Sequence, residues 1–458
     1  MARSQEGASD VIIEFLELSG GQGTFDLKEK FQALNIYENI YRSNVTCDIV
    51  INDSINLPLK TPILGEEDLN FSITSKSVVG NENHLTGPMY ITSISKRTFI
   101  KDRQQLFILH GTSETDMTNQ NTRVCQTFRN KKISEIVETI LDEWVISDND
   151  HVIEDTVGTE NIVIPNWTPN AACHWLARRA LNENNVPNYL FFESNNITYF
   201  KSVDSFMSTP VKQNFVYSPT QSKDEKILKL MQGYQQLDKL EILHQFDVKD
   251  NINNGYYASK LITHDIIKKK INQHTFGLNE AYAEGIAHAD KYMPISKSVT
   301  YFDVPDRNTY APQDTGSINE GDSIQSYFDS KVMFHPKHDK MYSTKTNDAY
   351  DNNVENWMLQ RNTLLNGLRQ IKLQIVMPGL PWLHCGDMIH IAVPSPEKVM
   401  ESKPGMVKNL EDLNDKYLSG NYMITSMKHA IDFNEGRFKY SIVAEVIKDA
   451  LGDPPTHH

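Results

Sequence analysis

At 458 residues the chain exceeds what one hydrophobic core supports, and it predicts two to four domains. A net charge of −14, with basic runs no longer than Lys131-Lys132 and Lys268-Lys269-Lys270, argues against tight nucleic-acid binding through phosphate contacts, although an acidic wall lets DNA slide past without sticking. No stretch approaches the roughly 18 uninterrupted apolar residues of a membrane span, so no membrane insertion is expected.

The apolar run at 11–18 is broken by Glu14 and Glu17 and fails as a signal peptide, so the protein is expected to be made and used without export. Cys47, Cys125, Cys173 and Cys385 are isolated, which predicts reduced, buried thiols. Residues 10–18 (DVIIEFLEL) read as a first strand, followed by a turn at Ser19-Gly20-Gly21-Gln22-Gly23. As a nucleotide-binding fingerprint that turn lacks a third glycine and a helix behind it, so it reads as a loop. Strands follow at 34–42 (LNIYENIYR) and 44–52 (NVTCDIVIN), the second ending in a turn at Asp53-Ser54-Ile55-Asn56 ahead of Pro58. With 62–73 (PILGEEDLNFSI), 87–100 (GPMYITSISKRTFI) and 105–114 (QLFILHGTSE), they predict a first antiparallel domain over 8–115.

From 116 to 225 the pattern becomes α+β. Ile133, Ile136, Val137, Ile140, Leu141 and Trp144 form one apolar helical stripe, and a second helix opens at Thr168-Pro169, a cap followed by proline in the first turn. That helix carries Trp175, Leu176, Ala180 and Leu181. Segment 161–165 lies between the helices, and a hairpin is predicted from 189–192 and 197–200 through Glu193-Ser194-Asn195-Asn196. Trp144, Trp167 and Trp175 suit a stacking platform for sugars or bases in composition, but they sit on or beside apolar stripes and read as core.

A helix from 226 leads to strands at 239–248 and 255–265, which are assigned with 354–450 to a second, split domain (226–271 and 354–450). Residues 272–353 are polar, with short apolar runs at 299–302 and 327–334, and read as an inserted, loop-rich peripheral domain; such an insertion costs little stability. A helix over 353–370, carrying Val354, Trp357, Met358, Arg361, Leu364, Leu365 and Leu368, returns the chain to a strand at 371–377. Segment 382–448 then alternates through 388–393, 422–427 and 440–444, with Gly386 and Gly420 at turns.

The first domain contains the same phrase as this last segment. Gly87-Pro-Met-Tyr-Ile91-Thr92-Ser93-Ile overlays Gly420-Asn-Tyr-Met-Ile424-Thr425-Ser426-Met with identity at Gly, Ile, Thr and Ser. Upstream, Gly65-Glu-Glu-Asp-Leu-Asn-Phe matches Cys385-Gly386-Asp-Met-Ile-His in pattern. Agreement in order, turn residues and alternation over three consecutive elements predicts a duplicated barrel domain rather than two unrelated hairpins.

Candidates for chemistry are few. The pair His335 and His338 has a ligand-like spacing but lies around a proline; His384 and Cys385 are adjacent and, on a strand, would point to opposite faces. Glu66-Glu67 and Asp303 with Asp306 are acid pairs of the kind a glycosidase uses, and His457-His458 end a Pro-Pro tail. No GxSxG, P-loop or HExxH occurs. No catalytic residue, metal ligand or cofactor site is assigned. The rival reading is a peptidoglycan hydrolase or carbohydrate-binding tail protein that uses the tryptophans and acid pairs.

The ordered set Ile36-Tyr37-Glu38-Asn39-Ile40, Asp48-Ile-Val-Ile-Asn52 with Pro62-Ile-Leu-Gly65, Ile164-Pro-Asn-Trp167 before a helix, and Ser419-Gly420 through His429 resembles the baseplate hub subunits of contractile-tailed bacteriophages. More distantly it resembles the hub part of type VI secretion spike proteins. The resemblance covers about 8–270 and 354–450 and fades over 276–350, and the order of the motifs carries it more than any one of them. It implies an α+β, mainly β fold with two quasi-equivalent, antiparallel tube-like β-barrel domains and two α+β accessory domains. It further implies a non-enzymatic virion protein of the tail baseplate, assembled in the host cytoplasm. As a homotrimer it would form a pseudo-six-fold ring that adapts a three-fold central spike to a six-fold tail tube around a DNA channel. The implied partners are the central spike, tail tube or tube-initiator proteins, and baseplate wedge or tape-measure proteins, with DNA only as passing cargo. The structural repeat residues of this reading are Gly65, Gly87, Ile91, Thr92, Ser93, Gly386, Gly420, Ile424, Thr425 and Ser426.

Overall fold

Alternation of core and half-buried residues builds most of the first eight strands: β1 (Val11–Gly20), β2 (Gly23–Asp26), β3 (Phe31–Asn39), β4 (Thr46–Asp53), β5 (Asp68–Ser75), β6 (His84–Thr86), β7 (Met89–Lys101) and β8 (Gln104–Thr112), with β2 and the far end of β7 lying exposed. In β4, for example, Cys47, Ile49 and Ile51 are buried while Thr46, Asp48 and Val50 stay half-exposed, as expected of a sheet with one face on the core. The computed structural model describes residues 11–21, 23–60, 63–75, 84–101, 103–145, 147, 149–217, 235–266, 268–283, 285–294, 324–337, 353–395, 414–434 and 436–453. The expected helix opening at 226, the apolar run at 299–302, the pair Asp303 and Asp306, His338, and His457-His458 lie outside those residues, as does Pro62.

The next strands are β9 (Val124–Lys131), β10 (Asp150–Ile153), β11 (Glu160–Trp167), β12 (Tyr189–Ser194) and β13 (Ile197–Ser202). They form two small sheets around the helices Ile133–Trp144 and Pro169–Ala177, with their own core of Ile136, Val137, Ile140, Ile164, Cys173, Leu176 and Phe200. The Thr168 side chain accepts the Ala171 amide, which starts the second helix. Asn195 and Asn196 turn the β12–β13 hairpin at positive φ of 48° and 60°, conformations that asparagine tolerates. Trp144, Trp167 and Trp175 pack against this core, and Arg179 lies over the Trp175 ring at 3.8 Å.

The remaining strands are β14 (Gln213–Tyr217), β15 (Gln236–Leu237), β16 (Lys239–Gln245), β17 (Ala258–Asp265), β18 (Lys270–Gly277), β19 (Val332–Lys337), β20 (Ile371–Pro378), β21 (Met388–Ala392), β22 (Gly420–Asn434) and β23 (Arg437–Lys448). Two hydrogen-bonded orders emerge. The first unit runs β1-β5-β7-β8-β4-β3, and the second runs β14-β21-β22-β23-β20-β16. They correspond strand for strand, and β3 pairs with β22 to fuse both into one branched sheet over one large core. The fold is mainly β with helical additions. Among the described residues no sheet closes on itself.

Several assignments differ from the sequence reading. The 255–265 segment, expected in the second barrel, is β17 and pairs with β18 and β19 in a separate three-stranded sheet. β14, expected in the accessory region, instead joins the main sheet beside β21, in parallel, so the second unit is not wholly antiparallel. Alternation identifies a strand's faces but not its neighbour, which explains both differences. The second helix ends at Ala177, before Ala180 and Leu181. Cys125 is exposed although a buried thiol was expected; the other three cysteines are buried, and all four are free. His384 and Cys385 occupy a turn, not a strand.

Candidate functional site

The two segments singled out by sequence carry the same irregularity. β7 slips against β8 between Ile91 and Ser93, and β22 slips against β23 between Ile424 and Ser426. In each, the threonine at the slip donates its hydroxyl across the ladder. Thr92 Oγ1 donates to His110 O at 3.2 Å, and Thr425 Oγ1 donates to Glu445 O at 3.0 Å. His110 is the residue opposite Ser93, and Glu445 the residue opposite Ser426. A bulge frees one backbone position from the ladder, and a short hydroxyl is well placed to satisfy the carbonyl left there.

The turns upstream match as well. The Ile91 amide donates to Glu67 O at 2.9 Å and the Ile424 amide to Asp387 O at 3.0 Å. Gly65 and Gly386 hold φ of 95° and 93°, in the region that favours glycine. The acid behind each glycine caps the turn: Glu67 accepts the Leu64 and Gly65 amides at 2.9 Å, and Asp387 accepts the His384 amide at 2.8 Å. Glu67 is thus engaged in holding a turn and Asp387 also pairs with Lys212 at 2.7 Å. Gly87 and Gly420 are less alike. Both are crowded, a Cβ at Gly87 meeting the Phe71 ring at 2.8 Å and one at Gly420 meeting the Asp290 carboxylate and the Lys448 ammonium, but of the two Gly420 alone also holds a positive φ, of 139°.

The seam between the units is antiparallel, with Met427 opposite Glu38, Lys428 opposite Tyr37, His429 opposite Ile36 and Ile431 opposite Leu34. Its inner face is closed: Leu34, Ile36, Met427 and Ile431 are buried, and so are Glu38 and His429. Glu38 accepts from the Ser194 hydroxyl and, at 3.0 Å, from the Asn195 amide, so the β12–β13 hairpin is pinned beneath the seam. Ser194 Oγ in turn accepts the Cys385 amide at 3.2 Å. His429 Nδ1 lies 2.7 Å from the Tyr440 hydroxyl. Burial pushes the Glu38 carboxyl up to about 7, against the pull of its Ser194 and Asn195 hydrogen bonds, and pushes the His429 imidazole down to about 3.

The outer face of these strands and of the neighbouring β4, β8, β16, β20 and β23 is polar and half-exposed. His110 Nδ1 lies 2.5 Å from Asp48 Oδ1, Lys372 pairs with Glu445 at 2.7 Å, and Lys239 pairs with Glu241 at 2.9 Å. Lys428 sits 5.9 Å from the Tyr37 ring centroid. Lys372 and Lys239 are therefore matched by carboxylates on this face.

The other chemical candidates have structural surroundings. Burial holds the Cys385 thiol well above its ordinary range and lowers the His384 imidazole, the reverse of an activated thiolate–imidazolium pair. His335 Nδ1 lies 2.8 Å from its neighbour's Pro336 O. Among the described residues no group of three or more His, Cys, Asp or Glu side chains is placed to hold a metal ion. The sequence reading overlooked the Glu38–Ser194–His429 cluster. Its signal was present: Glu38 falls in the same alternation phase as Leu34 and Ile36, and His429 in the phase of Met427 and Ile431.

No family model matches the chain, and neither does any curated protein sequence. Solved structures do share its fold. The tail protein from Neisseria meningitidis MC58 superposes with a TM-score of 0.54 at 10 % identity, over 96 % of this chain and 99 % of that one. The 43 kDa tail protein of prophage MuSo2 from Shewanella oneidensis superposes with a TM-score of 0.50 at 10 % identity, over 95 % of this chain and 99 % of that one.

Proposed function

We propose that this chain is a structural hub protein of a contractile phage tail. It acts as a homotrimer whose six similar β units form one ring. The observation that carries the reading is the pairing of two units with corresponding strand orders through β3 and β22, inside a fold shared with tail proteins. Three such chains give three-fold symmetry at the level of whole polypeptides and near-six-fold symmetry at the level of units, which suits a joint between a three-fold spike and a six-fold tube.

In this reading the units are tube-like barrel domains, one over 8–115 and the other over 226–271 with 354–450 but gaining β14 and leaving β17 to its own sheet, flanked by the rest of the accessory region 116–225 and the inserted region 272–353. Gly65, Gly87, Ile91, Thr92 and Ser93 in one unit and Gly386, Gly420, Ile424, Thr425 and Ser426 in the other are copies of one structural motif. The role is non-enzymatic and the place is the virion baseplate, after assembly in the host cytoplasm. One face of the ring meets the central spike and the other the tail tube or its initiator, with wedge or tape-measure proteins at the periphery. The outer polar face of the seam lines the channel. The Lys372–Glu445 pair and the Asp48–His110 contact set carboxylates beside its basic side chains, which disfavours a grip on passing DNA.

Light scattering on the purified chain tests the reading: a particle of three times 52.4 kDa is expected, seen by electron microscopy as a six-part annulus with a central hole. A persistent monomer at high concentration, or a closed two-fold dimer, overturns it.

A further inference from the structure

The seam inside the chain leaves its two counterparts uncovered. β16 holds in the second unit the place that β3 holds in the first, beside β20 as β3 is beside β4, but no described strand lies on its other side. β7 holds the place of β22. Opposite β8 its edge is paired only at Met89 and Tyr90, with β5, whereas β22 carries β3 from Ser426 to Asp432.

The side chains at these edges record the difference. Ile36 is 2 % exposed at the seam and its counterpart Ile242 is 44 % exposed; Met427 is 2 % exposed and its counterpart Ile94 is 38 % exposed. Thr425 is buried, while Thr92, with the same hydrogen bond, is exposed. Apolar residues left bare along a strand with free backbone groups form an edge primed for another strand.

We propose that β16 of one copy pairs antiparallel with β7 of the next, in the register of β3 on β22. The proposal rests on the trimer reading and adds where and how the copies join. The register follows from the ladders. His110 faces both Ser93 and Asp48, as Glu445 faces both Ser426 and Gln374; Asp48 then faces Asn35, as Gln374 faces Glu241. The slip between Ile242 and His244 sets Leu243 aside, so Ile36 and Tyr37 correspond to Ile242 and His244. Lys428 opposite Tyr37 becomes Ser95 opposite His244 of the neighbour, and Met427 opposite Glu38 becomes Ile94 opposite Gln245. Such a contact is head-to-tail, so it generates a ring when the rotation closes. One internal seam and one external seam per chain make six in a trimer.

Cysteine pairing in the full-length chain tests this. Cys125, the exposed thiol, is first replaced by serine. A Ser95→Cys chain mixed with a His244→Cys chain under mild oxidation is expected to yield a disulfide-linked dimer, because directly opposed strand residues bring their Cβ atoms within disulfide reach. The double variant Ser95→Cys/His244→Cys is expected to yield a covalent trimer. Moving one cysteine from His244 to Glu241 should cut the yield at least tenfold. Independently, Ile242→Lys should weaken self-association tenfold or more while leaving thermal unfolding of the monomer unchanged. A trimer by light scattering without the Ser95–His244 crosslink overturns the proposed register and leaves the ring reading standing. A monomer without crosslink overturns both.

Discussion

Glu38 Oε1 lies 3.9 Å from His429 Nε2 in the closed interior of the seam, and neither side chain reaches solvent. With the carboxyl raised to about 7 and the imidazole lowered to about 3, both groups resist ionising, so the contact is not a salt bridge. Between the ordinary carboxyl value of 4.5 and about 7, the folded chain keeps a Glu38 proton that the unfolded chain has released, so this group's contribution to stability falls as pH rises. His429 acts in the opposite sense. Between about 3 and 6.5 the unfolded chain binds its proton and the folded chain does not, so stability rises with pH. The Glu38→Gln variant removes only the first effect. Its unfolding free energy relative to the wild type is therefore expected to grow by about 2–3 kcal/mol from pH 5 to pH 8, read from urea midpoints at each pH. A difference that stays flat with pH means that Glu38 is already ionised in the folded chain.

Arg361 joins the helix Val354–Gly367 to the accessory region. Its guanidinium donates to Ala177 O at 3.1 Å, Pro187 O at 2.9 Å and Tyr189 O at 3.0 Å. Substitution by methionine keeps much of the stem's packing but strands three carbonyls, at an expected cost of about 3 kcal/mol. Arg361→Lys should recover part of it, since one ammonium reaches fewer of the three acceptors. The measurement is chemical denaturation followed by tryptophan fluorescence, which reports on Trp167 and Trp175 beside that core.

Gly65 and Gly386 separate backbone strain from crowding. Both have φ near +95°, but a Cβ at Gly65 has Ile91 O at 3.7 Å as its nearest neighbour, while one at Gly386 meets the Phe206 ring at 2.8 Å. Gly65→Ala is expected to cost roughly 1–2 kcal/mol from the backbone alone. Gly386→Ala should cost about 2 kcal/mol more, because the Phe206 ring must move within a packed core. Equal melting shifts for the two would refute the crowding argument.

The legible parts of this fold were those encoded locally. The stripe from Ile133 to Trp144 marked a helix with the bounds Ile133–Trp144, because six apolar residues at helical spacing leave one solution. Asn195-Asn196 marked a hairpin because both residues tolerate positive φ. Partner choice was not legible. β17 has the alternation of a main-sheet strand, and only the three-dimensional position of β18 and β19 places it elsewhere. The seam between β3 and β22 joins residues almost four hundred positions apart, and nothing in either strand specifies the other. The buried Glu38 was legible as a carboxylate in an apolar phase, but its partners Ser194 and His429 come from distant segments.

Thr92 and Thr425 make the same bond in different surroundings, and that contrast gives a final expectation. Thr425 is buried against the seam, so Thr425→Val leaves Glu445 O without its hydroxyl partner where water cannot replace it; a loss of about 1–2 kcal/mol is expected. Thr92 is exposed in the single chain, so water takes over at His110 O and Thr92→Val should change monomer stability by less than about 0.5 kcal/mol. If β16 of a neighbour covers β7, the Thr92 site becomes as enclosed as the Thr425 site. Thr92→Val should then weaken the trimer by a similar 1–2 kcal/mol at each of its three junctions, measured as a roughly tenfold to 150-fold rise in the concentration at which the trimer dissociates. Equal effects of the valine substitution on monomer and trimer would place the Thr92 hydroxyl outside any interface.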